Sequence, residues 1–234
     1  MGESGRILNA ARGPRLTFAN KIDARRWRHW IGMLAIMAFI AALAVPAPGQ
    51  ASEKKSSDGA YTQIYFFRGF LGVFSTGFDQ MAKELRTKGI EARVYSHLSA
   101  GAVRARIARQ YKAANRRARK PIVLVGHSFG GNAALAVAHQ LSRDNIPVKL
   151  VVTVDPTRGG PVANNVARYV NYYFDGGGLG ASLKASARMP RSRVRNIDMR
   201  VRDDVVGAGD NHWSVTHNKV IQSEILKQVR RAAR

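Results

Sequence analysis

Cysteine is absent from this chain. A disulfide scaffold, a thiolate zinc site and a cysteine nucleophile are therefore excluded. Acidic residues are scarce: 15 Asp+Glu stand against 38 Lys+Arg, a formal net charge of +23. An excess of this size speaks to association with anionic partners and not to fold. There is no zinc-finger spacing and no aromatic RNA-binding motif, so nucleic-acid binding as the main function has little but charge behind it. No segment repeats at a solenoid period. No metal-ligand cluster or cofactor motif is read, so no metal and no cofactor are expected. What is present is 234 residues, 45% hydrophobic and 23% charged. That is a globular balance, with room for one ordinary domain behind a leader.

The first 30 residues are polar and basic, with Arg6, Arg12, Arg15, Lys21, Arg25, Arg26 and Arg28 against Glu3 and Asp23. Trp30 to Val45 then carries no charge, and a small, polar, helix-breaking stretch (PAPGQASEKKSSDG) follows. This order is that of a secretory signal, with cleavage expected after Ala51. The apolar run is short for a bilayer span of about 20 residues. The competing expectation is an uncleaved anchor at residues 30–45 with the basic N-terminus in the cytoplasm. Both place the remaining chain outside the cytoplasmic membrane, periplasmic or extracellular. Arg25-Arg26 is a weak twin-arginine candidate. Residues 1–51 thus read as signal peptide or anchor, 52–60 as linker and 61–234 as one domain. Beyond Ala51 the chain still carries 31 Lys+Arg and 13 Asp+Glu, so the basic excess is not confined to the leader.

Strands and helices alternate through this domain. Tyr61 to Arg68, Ile90 to Tyr95, the IVLVG run that Pro121 opens, and Pro147 to Val154 read as strands, with Val166 to Phe174 and Val194 to Val201 as weaker ones. Phe78 to Lys88, Ala102 to Ala118, Gly131 to Leu141 and Val215 to Arg231 read as helices, the first stopped by Gly89. All-apolar strands between helices predict a mostly parallel central sheet of about six strands, covered on both faces.

One motif carries chemistry. Gly126-His127-Ser128-Phe129-Gly130 is G-x-S-x-G, set between the apolar strand and the alanine-rich helix. Flanking glycines allow a sharp turn that holds the serine hydroxyl out, and N–H groups at the helix start favour negative charge there. A tight turn in a nucleotide-binding unit is the bland alternative, but no second phosphate glycine pattern accompanies it.

The run IVLVGHSFGGNAAL resembles the nucleophile turn of the α/β-hydrolase superfamily, in particular its small lipase-, esterase- and thioesterase-like members. The resemblance extends loosely over about residues 61–230. It implies a three-layer α/β sandwich, and a Ser–acid–His triad in that chain order with Ser128 as nucleophile. For the base it points to His212, because His212-Trp213-Ser214-Val215 fits the loop before the last helix; His217 is the main rival. His127 is expected to point away from Ser128. For the acid, Asp155 ends the strand in VVTVDPT on the same sheet edge as Ser128. Asp175, closing VNYYFD, holds the commoner family position and stays as the alternate. Asp203 and Asp204 read as solvated loop charges. The oxyanion hole is expected from the N–H groups of Phe129 and Phe70, with Leu71 as alternate to Phe70. The family commonly has His-Gly where this chain has Arg68-Gly69.

The stretch from Thr157 to Asn165 is too short for a lid domain. An open site is expected, bordered by Phe70, Leu71, Val73, Phe74 and the glycines 176–178. The resemblance implies an acyl ester or thioester as substrate. Two basic clusters remain: Val103 to Lys120, with eight Lys+Arg and no acid, and Arg188, Arg191, Arg193, Arg195, Arg200 and Arg202. They read either as solvated faces or as attraction to an anionic lipid or envelope surface. The rival to the hydrolase reading is a non-catalytic, hydrolase-like protein that binds anionic envelope components through them.

Overall fold

The computed structural model describes residues 63–176, 179–187, 189–207 and 209–234. The expected leader, the cleavage after Ala51, the anchor at 30–45 and the linker 52–60 lie outside the described residues, as do Gly177, Gly178 and Arg188. Among the described residues no helix is long and apolar enough to cross a membrane.

The strands are β1 (Ile64–Arg68), β2 (Ala92–Ser96), β3 (Val123–His127), β4 (Leu150–Val154), β5 (Tyr169–Tyr173) and β6 (Val194–Asp198). They form one sheet in the order β2-β1-β3-β4-β5-β6, with every neighbouring pair parallel. The helices are α1 (Gly77–Thr87), α2 (Ala100–Ala113), α3 (Phe129–Arg143), the single turn α4 (Asp203–Val206) and α5 (Lys219–Ala232). Strands β3 and β4 are buried along their whole length and mostly apolar, because both faces are covered. On one face Ile64, Phe66, Val123, Val125 and Val152 pack with Phe78, Met81 and Leu85 of α1 and Ile221, Ile225 and Val229 of α5. On the other, Tyr65, Phe67, Leu124 and Val151 pack with Val103 and Ile107 of α2 and Leu135, Ala138 and Leu141 of α3. This is the three-layer α/β sandwich that the sequence predicts, and among the described residues no lid domain covers it.

The chain leaves β1 in one direction to form β2, then returns past β1 to form β3 on its other side. The order therefore reverses between β1 and β3, and ligands in open α/β sheets bind at the carboxyl ends of strands flanking such a reversal.

Two elements end earlier than their periodicity predicts and one begins later, and in each case a polar side chain caps the chain. Helix α2 stops at Ala113 instead of reaching Ala118: the Asn115 side chain accepts from Ala118 N–H, while Arg119 Nε donates to the Tyr111 and Ala114 carbonyls. Strand β6 stops at Asp198, whose carboxylate accepts from Arg200 N–H. The closing helix begins at Lys219 and not at Val215, because Asn218 Oδ1 accepts from the Val220 and Ile221 N–H groups. Residues Val215–His217 form a separate 3-10 turn before it. In the other direction, α3 starts two residues before the predicted Gly131, directly after Ser128.

Candidate active site

Ser128 sits between the last residue of β3 and the first of α3, with φ 56° and ψ −124°. A non-glycine residue with positive φ is strained and persists only where its surroundings impose it. Here they do. Ser128 N–H donates to the Val154 carbonyl of β4, at 3.0 Å. A Cβ at Gly126 would overlap the Gly130 carbonyl, and one at Gly130 would overlap the Phe67 carbonyl of β1. The two motif glycines thus let the turn fold onto itself and lie against its neighbouring strand.

Asp155 follows β4 and also has positive φ, 46°. Its N–H donates to the Tyr172 carbonyl of β5 at 2.6 Å, and the residue is fully buried. One carboxylate oxygen, Oδ1, accepts from Phe174 N–H at 2.9 Å; the other, Oδ2, lies 2.6 Å from His212 Nδ1. His212 Nε2 lies 3.0 Å from Ser128 Oγ. An ionised carboxylate only accepts, so Nδ1 carries the ring proton and Nε2 presents its lone pair to the serine hydroxyl. The three side chains, contributed by the ends of β3 and β4 and by the loop before α5, are thereby joined in series. Ser128 is 5% exposed and His212 6% exposed, so water barely reaches the chain of bonds.

The alternates fall elsewhere. His217 is exposed, with Nε2 2.8 Å from Thr76 Oγ1. Asp175 is exposed and faces Arg200 at 3.6 Å. Asp203 and Asp204 are exposed in the turn α4, where the Arg202 guanidinium bonded to Asp204 holds that carboxyl below its usual range.

The loop after β1 lies against the serine: a Cβ on Gly69 would stand 3.0 Å from Ser128 Cβ. Gly69 is held at both ends. Its N–H donates to Ser75 Oγ at 3.0 Å, and its carbonyl accepts from Gly72 N–H at 3.2 Å and from His97 Nδ1 at 3.2 Å. The Gly69 carbonyl and the Phe70 N–H belong to one planar trans peptide and point in opposite directions. Fixing the carbonyl therefore fixes the N–H. Arg68, where the family commonly has histidine, turns to pair with Asp79 in the first turn of α1. Phe129 is the first residue of α3, and its ring lies 6.2 Å from that of Phe70. Leu71 is exposed, with φ 56°.

Several participants escaped the sequence reading. His127, expected only to point away, is buried and bridges two loops: Nε2–H donates to the His212 carbonyl at 2.8 Å, and Nδ1 accepts from Ser75 Oγ–H at 2.9 Å. Burial, followed by the proximity of His212, pushes its pKa down to about 3, so it is neutral under ordinary conditions. His97, just after β2, contacts both the Gly69 carbonyl and, at 5.7 Å between rings, Phe129. Trp213 stands edge-on to His212 at 4.9 Å and packs on Phe74 at 4.7 Å. Gly180 backs directly onto Asp155, where a Cβ would overlap the carboxylate. Of these, only Trp213 had a sequence signal, its place after His212. Phe70, Leu71, Val73, Phe129 and Trp213 are exposed apolar side chains along this edge.

The sequence pattern of the alpha/beta hydrolase family matches residues 40–225. No curated protein matches the chain. Among solved structures, a crystal structure from Xanthomonas campestris pv. campestris, classed with the alpha/beta hydrolase superfamily, is similar at 16% identity and a TM-score of 0.41, over 73% of this chain and 99% of that one. With a match over most of its length and a parallel six-stranded sheet covered on both faces, the chain belongs to the alpha/beta hydrolase family.

Proposed function

We propose that the protein is an exported serine hydrolase that cleaves carboxylic esters or thioesters, with Ser128 as nucleophile, His212 as general base and Asp155 as the acid that orients it. The observation that carries this reading is the unbroken series Ser128 Oγ, His212, Asp155, at 3.0 Å and 2.6 Å, on a strained strand-to-helix turn. Ser128 Oγ attacks the acyl carbon while His212 Nε2 takes its proton. The buried Asp155 carboxylate stabilises the imidazolium that forms. The N–H groups of Phe129 and Phe70 face the developing oxyanion. When the tetrahedral intermediate collapses, the leaving alkoxide or thiolate takes the proton from His212 and an acyl-enzyme remains. Water, deprotonated by the same nitrogen, frees the acid and returns the proton to Ser128.

The exposed rim of Phe70, Leu71, Phe129 and Trp213 favours an apolar acyl group over a charged one. Only the loop 155–168 joins β4 to β5, which supports an open site that acts on dispersed substrate without activation at a lipid interface. The basic leader and its apolar run support export, by cleavage or as an anchor. The geometry at Ser128 favours catalysis over the non-catalytic binding alternative.

The test is intact mass after treatment with a fluorophosphonate, wild type beside Ser128→Ala. One adduct that vanishes in the variant is expected. With that adduct, acyl esters and thioesters of graded length define the substrate; a folded wild-type protein that takes no adduct would overturn the catalytic reading.

A further inference from the structure

The two basic clusters of the sequence meet at the edge of the sheet opposite Ser128. A groove of about 600 Å³ opens beneath the starting ends of β3, β4 and β5. It is lined by Arg116, Arg119 and Lys120 from the first cluster, Arg193 from the second, and Lys149, which belongs to neither. No aspartate or glutamate is among the described lining residues. Asp144, at the end of α3, is already engaged by Arg104 and Lys112. Two of the five cations are held in place. The Arg119 guanidinium stacks over the Tyr111 ring at 4.2 Å while its Nε serves the carbonyls that end α2. Arg193 Nη1 donates to the Asn164 carbonyl at 3.3 Å. Arg116, Lys120 and Lys149 are exposed.

Like charges gathered in a concavity repel one another, and a solvated face would spread them apart. Convergence from three separate segments, with two arginines fixed beforehand, lowers the ordering cost of receiving an anion. The volume is that of a small-molecule site, about 300–1,000 Å³. Five positive charges exceed what one monoanionic group would neutralise.

We propose that this groove is a binding site for a ligand bearing two or more phosphate groups. The same chemistry occurs free in solution and at a membrane surface, as clustered headgroups. The strands between the groove and Ser128 are five residues long, roughly 17 Å, so the groove lies at the opposite end of the sheet from Ser128. The site is therefore independent of the hydrolase chemistry and goes beyond it.

The test uses the full-length protein and sodium triphosphate, followed by calorimetry. The variant Arg116→Gln/Lys120→Gln/Lys149→Gln removes three exposed cations and leaves the structural Arg119 alone. Lys83→Gln/Arg109→Gln/Lys184→Gln removes as much charge elsewhere. Saturable binding near one equivalent is expected in the wild type and in Ser128→Ala. The groove variant should weaken it at least about tenfold and the control less than about threefold, since charges contribute locally. A second arm sediments the protein with phosphatidylcholine vesicles, with and without cardiolipin. Sedimentation that requires cardiolipin and is reversed by triphosphate assigns the phosphates to lipid; its absence, with triphosphate bound, assigns them to a soluble ligand. Equal weakening in both variants, or a single-stranded oligonucleotide that binds and is not displaced by triphosphate, overturns the proposal.

Discussion

The buried His127 makes a stability prediction that can be isolated from every other titrating group. Its native pKa is about 3, against an ordinary value of 6.5. Between those limits the unfolded chain binds the proton and the native protein does not. Stability therefore rises with pH through this window, is complete above 6.5 and drains away as pH falls toward 3. One proton is worth about 1.4 kcal/mol per pH unit, so the group costs the fold roughly 3 kcal/mol at pH 4.5. His127→Gln removes the titration while keeping an amide that can donate to the His212 carbonyl and accept from Ser75. Urea unfolding of both proteins from pH 7 to pH 4 is the assay. Other acid-sensitive groups cancel in the difference. The wild type should lose stability more steeply than the variant, by about 1.4 kcal/mol per pH unit below 6.5, so that any advantage it holds at pH 7 shrinks or reverses. Parallel profiles would refute the placement of a neutral imidazole between the two loops.

Three further outcomes follow from the site. Asp155→Asn should keep the fold, since the amide oxygen can still accept from Phe174 N–H, but slow fluorophosphonate labelling by about 10³ to 10⁴ because the imidazole loses its oriented tautomer. Gly180→Ala places a methyl against the Asp155 carboxylate and should cut labelling at least about tenfold, through displacement of that carboxylate and not of Ser128. His97→Phe retains a ring beside Phe129 and releases the Gly69 carbonyl; about a tenfold loss in kcat on a soluble ester, with KM nearly unchanged, is expected if the loop presents an oxyanion donor.

What the sequence made legible and what it hid divide along a physical line. The turn at Ser128 was readable because everything that makes it is contiguous: an apolar strand, glycines at fixed offsets and an alanine-rich helix. Asp155 was readable because a strand's end fixes the edge on which its carboxylate lies. The bridge from Gly69 through Ser75 and His127 to His212 spans residues far apart in the chain, and no periodicity announces it. His97 reaches the site because β2 lies next to β1, a fact of strand order. The ends of α2, β6 and the closing helix were misjudged for the opposite reason. Their apolar spacing continues past Asn115, Asp198 and Asn218, and single polar side chains overrule it.

The order in which the site's parts occur along the chain bears on biosynthesis. On the proposed roles, a ribosome delivers the nucleophile Ser128 and the acid Asp155 first, and the base His212 follows 57 residues after the acid. The turn that carries it rests on elements that come later still, as Gln222 of α5 donates to the Thr216 carbonyl. A nascent chain therefore carries all six strands before His212 is made and before α5, which supports its loop, can dock. On the proposed function, loss of α5 by a nonsense mutation or by proteolysis would leave a polypeptide with Ser128 present and inert.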